Sequence, residues 1–249
     1  MTVYDMHCHM GFADQSDPTC SLHVADPRLD GFLCATVTPQ EFKDLQERHP
    51  EHPVARFALG LHPQWVTKGI CDESSLQLFC ELVGDAAFVS EVGLDYREMY
   101  VAGKEGQLAC FHGVLSAVQN GERVLSIHTS EAEREVLDLM EEYGTFRNNR
   151  CVFHWFSGSC DQLHRAIKLG AYFSGGLKMT KSKRGREYLK VIPKDRLLLE
   201  TDYPRGEDAQ FSASAQADML CEIVEAMEHI RGEHLREYVA GTSAELLGR

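Results

Sequence analysis

The chain has 249 residues, of which 43% are hydrophobic and 25% charged, an ordinary composition for a globular protein. This length suits one large domain with a sizeable core, and we predict a single domain over residues 1–249. The net charge of −13 excludes a large basic surface for nucleic acid or anionic membranes. It leaves room for a local cationic site built by metal ions.

The chain has no sign of a segment that targets or anchors it to a membrane. Residues 1–10 already contain Asp5, His7 and His9, so we expect no signal peptide there. No stretch approaches about 18 uninterrupted apolar residues, so we expect no membrane span. Nine cysteines without a CxxC pair favour reduced core cysteines and a cytoplasmic protein. We expect a monomer without a stable protein partner.

Eight short apolar runs alternate with helix patterns along the chain. The runs are nearly continuous in Val, Ile, Leu and Phe, as expected for strands buried on both faces. The predicted strands are residues 3–9, 31–37, 54–61, 87–94, 123–128, 151–156, 171–176 and 196–202. Eight β/α units in a chain of this size predict an α/β fold, the (β/α)8 TIM barrel.

Capping signals mark several of the predicted helices. Thr38 and then Pro39 open a helix that ends near residue 48, and Ser130 is a predicted N-cap for residues 130–143. Gly170 is the predicted C-terminal signal of the helix that ends near residue 169. Apolar spacing predicts further helices over residues 104–119, 214–230 and 233–247.

Residues that bind metals fall near the ends of several predicted strands. His7 and His9 lie two apart in the first strand, so both side chains point to one face, while Cys8 points away. The carboxyl ends of barrel strands form the active site, so ligands at these ends are expected to meet. The six candidate ligands are His7, His9, Glu91, His128, His154 and Asp202.

Imidazoles and carboxylates are ligands for divalent ions such as Zn²⁺, Mn²⁺ or Mg²⁺. Six ligands exceed the need of one ion with an open position, so we expect two divalent ions bridged by Glu91. Such a centre attracts an anionic group and lowers the pKa of a water molecule, which fits hydrolysis of a phosphate ester. It also fits a carboxylic ester or an amide, and spacing alone does not choose between these substrates.

Six motifs occur in order along the chain. They are Asp5-Met6-His7-Cys8-His9, Gly60-Leu61-His62-Pro63, Ser90-Glu91-Val92-Gly93-Leu94-Asp95-Tyr96, Ile127-His128, His154-Trp155-Phe156-Ser157-Gly158 and Leu199-Glu200-Thr201-Asp202-Tyr203-Pro204. Together they resemble the TatD family of metal-dependent hydrolases, within the amidohydrolase-like TIM barrels, over essentially the whole chain. The resemblance implies a two-metal nuclease that hydrolyses DNA phosphodiesters, often from the 3′ end.

The resemblance also implies roles for individual residues. One ion would be held by His7, His9, Glu91 and Asp202, and the other by Glu91, His128 and His154. Asp202 and Glu91 would be catalytic, with Asp202 orienting or deprotonating the attacking water. Asp5, on the same strand face as His7, is expected to support the ligands from behind.

Four further residues are expected to contact the substrate. His62 lies at a strand mouth, and Tyr203 has a ring that can stack on a base. Ser157 and Gly158 offer donors to a phosphate at a helix start. The expected partner is DNA or another phosphoester.

The chain departs from the usual family pattern at Gln64, Ser130, Tyr203 and Thr242, and residues 205–214 contain no Asn-x-Pro element. These positions lie outside the metal ligands, so they bear on the substrate. We therefore also consider hydrolysis of a small phosphoester or an aminoacyl ester, and a non-catalytic metal-binding scaffold. The acidic chain favours small or single-stranded substrates over long duplex, because little backbone tracking is available away from the metals.

Overall fold

Eight strands run through the core, and nearly all of their residues are buried, which explains their continuous apolar sequences. The structure is a computed structural model that describes residues 2–12, 26–204 and 212–249. The strands are β1 (Val3–Cys8), β2 (Leu29–Ala35), β3 (Ala55–Gly60), β4 (Phe88–Asp95), β5 (Val124–Ser130), β6 (Arg150–His154), β7 (Tyr172–Gly175) and β8 (Leu197–Leu199). All eight predicted strands are therefore present.

Helices separate most of these strands. In chain order they are α1 (Pro39–Arg48), α2 (Pro63–Thr67), α3 (Glu73–Leu82), α4 (Lys104–Ala117), α5 (Glu133–Glu142), α6 (Thr145–Asn148), α7 (Cys160–Lys168), α8 (Leu177–Lys181), α9 (Lys183–Val191), α10 (Ala213–Arg231) and α11 (Arg236–Leu246). Short 3₁₀ turns at Val101–Gly103 and Lys194–Arg196 precede α4 and β8.

The strands are parallel neighbours in chain order, from β1 to β8. Beyond β8 the chain runs beside β1. There the Asp202 amide donates to the His7 carbonyl at 2.9 Å, and the His9 amide donates to the Tyr203 carbonyl at 2.9 Å. Eight parallel strands alternating with helices form the predicted (β/α)8 barrel.

Two compact units make up the chain. The first comprises Met1–Cys34, Glu51–Arg56 and Phe173–Arg249, and the second comprises Ala35–Pro50 and Phe57–Tyr172. Large buried side chains fill each of them, for example Met6 and Phe173 in the first unit and Phe111 and Phe153 in the second. The predicted single domain over residues 1–249 stays a prediction.

Two of the three predicted capping signals are confirmed. The Thr38 side chain accepts from the Glu41 amide at 3.1 Å, and Gly170 follows α7 with φ +86°. Ser130 is not an N-cap. It ends β5, where it pairs with Asp95 and its carbonyl accepts from the Tyr96 amide at 2.9 Å, so α5 begins only at Glu133.

Three further expectations concern the cysteines, membrane-spanning helices and the segment 205–214. Eight of the nine cysteines lie in the described residues, and none of these eight forms a disulfide. Four of them are buried, as predicted, but Cys80 and Cys160 are exposed. No helix in the described residues has both the length and the apolar character needed to cross a bilayer. Most of the segment 205–214, which contains no Asn-x-Pro element, falls outside the described residues.

Gly93 brings β4 close to β5. It has φ +144° and pairs with His128, and a Cβ built on it would lie 1.9 Å from the His128 carbonyl oxygen. Both the backbone conformation and the contact therefore require glycine at this position.

We predict that Gly93→Ala lowers the free energy of unfolding by about 3 kcal/mol or more, because the methyl group forces two paired strands apart. Gly84→Ala is the matched control, since a Cβ there meets nothing within 4 Å. It should stay within about 0.5 kcal/mol of the wild type. Urea denaturation of the metal-stripped protein measures both, and equal values for the two variants would contradict the close approach.

Candidate metal centre

His7, His9 and Asp202 form a cluster in the first unit, and one potential ligand atom from each lies within 4.8 Å of the others. His9 Nε2 is 3.3 Å from Asp202 Oδ1, and the two imidazole rings lie 5.1 Å apart. Two imidazole nitrogens and a carboxylate oxygen are the donor set of many divalent metal sites. We call these residues the first-unit cluster, and they fit a divalent ion.

The main chain of this cluster is held in an uncommon conformation. Asp202 has φ +55°, in a region that residues other than glycine rarely occupy. The hydrogen bond from its amide to the His7 carbonyl joins the two ligand-bearing segments. Backbone strain of this kind persists where surrounding contacts impose it, and it is frequent at functional sites.

Asp5 ties together the segments that carry the first-unit cluster. It accepts from Thr201 Oγ1 at 2.5 Å, Gln216 Nε2 at 2.7 Å, the Thr201 amide at 3.1 Å and the His7 amide at 3.1 Å. Burial raises the pKa of Asp5 to about 6, and the four donors oppose that rise. Asp5 thus supports His7 through the main chain.

Glu91 is the centre of a second cluster, in the second unit. Its Oε2 lies 3.2 Å from His128 Nδ1, 3.4 Å from His154 Nε2 and 3.5 Å from His62 Nε2. All four side chains are buried, with Glu91 only 2% exposed. We call these residues the second-unit cluster. Its donor types also fit a divalent ion.

A β-bulge sets the place of Glu91 in β4. The pairing of β4 with β5 shifts between Val89 and Val92, and Glu91 lies in that shift with φ +51°. Bulges re-aim single side chains and are common beside active sites. Trp155, directly after His154, also has a positive φ of 45°.

His128 lies between two carboxylates. Its Nδ1 faces Glu91, and its Nε2 is 3.1 Å from Asp95 Oδ2. Burial opposes protonation of His128, but the hydrogen bonds to Asp95 and Glu91 outweigh burial and raise its pKa to about 9. Burial acts to raise the pKa of Asp95, but Arg97, His128 and Gln64 lower it well below its usual range.

Asp95 has no role in the sequence-based interpretation, although it stands in the third of the six motifs. A signal was available, because alternate residues of a strand share a face. Gly93 pairs with His128 and Asp95 with Ser130, so Asp95 falls on the face of β4 that carries the ligands of β5. The pairing register of β4 with β5 therefore identifies Asp95 as a candidate partner of His128.

His62 joins the second-unit cluster from the start of α2, where it is the N-cap. Its Nδ1 accepts from the Gln64 amide at 3.1 Å, so in the neutral imidazole Nε2 carries the proton. That N–H points to Glu91 Oε2 at 3.5 Å. His62 therefore offers a donor beside the candidate ligands.

The remaining predicted substrate contacts lie at strand ends in their own units. In the second unit, Ser157 Oγ donates to Glu133 Oε1 at 2.8 Å, and Gly158 lies where a Cβ would crowd Phe156. In the first unit, Tyr203 is partly exposed and follows Asp202 directly. Substrate contact by these residues stays a prediction.

Comparison with known proteins agrees with a metal-dependent hydrolase on a (β/α)8 barrel. Residues 4–246 match the family model for TatD related DNase. A solved TatD homologue from Escherichia coli K12, YJJV, superimposes with a TM-score of 0.81 at 20% identity, covering 98% of this chain and 97% of that one. The chain therefore belongs to the TatD related DNase family of metal-dependent hydrolases.

Relatives in this family carry several names. YabD of Bacillus subtilis, an uncharacterized metal-dependent hydrolase, is 27% identical over 81% of this chain and 80% of its own length. TatD of E. coli K12, a 3′-5′ ssDNA/RNA exonuclease, is 23% identical over 88% and 86%. Deoxyribonuclease Tat-D of Schizosaccharomyces pombe is 30% identical over 49% of this chain, and the match spans only 39% of that protein.

We predict that Asp5→Asn lowers the free energy of unfolding by about 1–3 kcal/mol, because an amide nitrogen would face donors that now bond a carboxylate. Asp218→Asn is the matched control in the same unit, since Asp218 is 67% exposed and pairs with Arg28 at the surface. The control should change stability by less than about 1 kcal/mol. Urea denaturation of metal-stripped protein compares them, and equal small changes would contradict the anchoring role of Asp5.

Proposed function

We propose that this chain hydrolyses phosphodiester bonds of single-stranded DNA, with divalent metal ions bound at the first-unit and second-unit clusters. The observation that supports this most is the pair of buried histidine–carboxylate clusters in a TatD-type chain. The potential ligand atoms of His7, His9 and Asp202 lie within 4.8 Å of one another, as do those of His62, Glu91 and His128. The bridge between two ions through Glu91 stays a prediction of the sequence, as do the monomeric state and the cytoplasmic location.

Bound divalent ions would supply charge to stabilise the developing anion and would lower the pKa of a nearby water. The protein must accept the proton of that water. Asp202 suits this task because its carboxylate is 21% exposed, so water can reach it, while His9 at 3.3 Å fixes its position. The more deeply buried Glu91 is better suited to holding an ion than to exchanging protons with water.

His62 would bind the substrate through its Nε2–H. The Gln64 amide occupies Nδ1, which fixes the donor on the nitrogen that faces the second-unit cluster. A phosphate oxygen bound at that cluster would accept this hydrogen bond. The same group would stabilise the extra negative charge that develops as water attacks the phosphorus.

Two observations favour single-stranded DNA as the substrate. E. coli TatD, which the chain matches over most of its length, is a 3′-5′ ssDNA/RNA exonuclease. The net charge of −13 disfavours extended contact with duplex backbone. Tyr203, partly exposed beside Asp202, would stack on a base next to the cleaved phosphate.

The first test is hydrolysis of a labelled single-stranded DNA by metal-stripped protein after Mg²⁺, Mn²⁺ or Zn²⁺ is added back. We predict metal-dependent cleavage that Asp202→Asn reduces roughly 100-fold or more, as expected for loss of a general base. Asp218→Asn, a change of the same chemistry at an exposed surface pair, should leave the rate unchanged.

Two results would contradict the proposal in different ways. Cleavage by Asp202→Asn at the wild-type rate would remove the proposed role of Asp202. Metal binding without cleavage of DNA under any of the three ions would refute the substrate. Parallel assays with a small phosphoester and an aminoacyl ester would then show whether the centre hydrolyses another ester.

A second prediction separates substrate binding by His62 from its capping role. His62→Asn keeps an acceptor for the Gln64 amide, because asparagine is a good N-cap, but it removes the Nε2–H donor. We expect KM for single-stranded DNA to rise roughly 10-fold, the cost of one hydrogen bond to a charged group. Thermal unfolding should match the wild type, and an unchanged KM would refute the contact.

A further inference from the structure

We propose that Asp95 is a positioning residue that decides which nitrogen of His128 is offered to a metal ion. The inference rests on the proposed metal site of the second-unit cluster. Asp95 is fully buried, and its Oδ2 lies 3.1 Å from His128 Nε2, while the opposite nitrogen, Nδ1, lies 3.2 Å from Glu91.

A neutral imidazole has one N–H and one lone pair. If Nε2 donates its proton to Asp95, the lone pair must be on Nδ1, which is the nitrogen that faces Glu91. Without an acceptor at Nε2, both tautomers would be populated and the ring would be free to turn. A carboxylate behind a ligating histidine therefore orders the ring and increases its basicity.

Asp95 is itself held rigidly. Arg97 donates from Nε to Oδ1 at 2.9 Å and from Nη2 to Oδ2 at 2.5 Å, and Gln64 Nε2 donates to Oδ2 at 2.9 Å. The Asp95 main chain is fixed by Gln107, which accepts from the Asp95 amide at 2.8 Å and donates to its carbonyl at 2.9 Å. These contacts keep the carboxylate aimed at His128.

Gln64, which departs from the usual family pattern, helps to hold this arrangement. Its main-chain amide donates to His62 Nδ1, and its side-chain amide donates to Asp95 Oδ2. One residue of α2 therefore helps to orient both His62 and His128, whose ring centroids are 4.6 Å apart. Both rings turn a nitrogen toward Glu91 as a result.

The test measures Zn²⁺ binding to the metal-stripped full chain by calorimetry, with Glu91→Gln identifying the binding step of the second-unit cluster. We expect Asp95→Asn to weaken that step roughly 10- to 100-fold, the usual effect of removing a partner behind a ligand. Gln64→Met, which removes one donor but keeps the carboxylate, should weaken it less. Glu41→Gln is the control, since Glu41 is another buried carboxylate of the same unit, and it accepts a hydrogen bond from the Val37 amide at 2.8 Å.

A second experiment uses NMR to follow the proton on Nε2 of His128. In Zn²⁺-loaded wild type with ¹⁵N-labelled histidine, the Nε2–H resonance of His128, assigned by its loss in His128→Gln, should be protected from exchange with water. Asp95→Asn should lose this protection, while Glu41→Gln should retain it. A defect of folding alone would not move the proton of one imidazole.

The outcomes separate this inference from the proposed function. Wild-type affinity together with a protected Nε2–H in Asp95→Asn would overturn the positioning role and leave the metal site standing. An equal loss of affinity in Glu41→Gln would also overturn it. If no binding step of the wild type depends on Glu91, the metal site and this inference both fail.

Discussion

The free-energy cost of burying the Glu91 carboxylate governs the structure around it. A charge in an apolar strand is tolerated only when it is paired or bound to a cation. Here three imidazole nitrogens lie within 3.5 Å of one oxygen, and the bulge that places Glu91 among them costs β4 part of its regular pairing. The need to compensate the buried charge of Glu91 thus accounts both for the β-bulge in β4 and for the three histidines around it.

The same constraint extends outward from the second-unit cluster. His128 needs a partner for its second nitrogen, and Asp95 supplies it. Asp95 is a second buried charge, which Arg97 neutralises from the partly exposed end of the strand. Acidic and basic side chains therefore alternate along a chain of contacts from Glu91 through His128 and Asp95 to Arg97. Each group lowers the cost of burying the next.

The first-unit cluster is supported from behind by hydrogen bonds to Asp5. Asp5 is fully buried, and four donors from β1, α10 and Thr201, two residues beyond β8, converge on its carboxylate. This network stabilises main-chain segments, whereas Asp95 orients a side chain. The two units therefore support their candidate ligands by different physical means, and we expect different consequences when each support is removed.

A negatively charged chain can still bind a polyanion where metal ions concentrate positive charge. With a net charge of −13, recognition by a broad basic surface is disfavoured. In the proposed function, the affinity for DNA would therefore come from metal ions bound at the two clusters and from neutral contacts such as His62 and Tyr203. Of the positions that depart from the usual family pattern, Tyr203 is itself one of these contacts, and Gln64 donates its main-chain amide to His62.

The sequence by itself determined the (β/α)8 class, because burial on both faces is a property of short segments. It also predicted the candidate ligands, because the spacing of His7 and His9 is such a property too. Prediction from the sequence failed where a feature depends on contacts between distant segments of the chain. Ser130 resembled an N-cap locally, but pairing with β4 kept it in a strand. The partner of His128 and the donor nitrogen of His62 depend on which side chains and amides the folded chain brings within about 3 Å, and only the tertiary structure decides that.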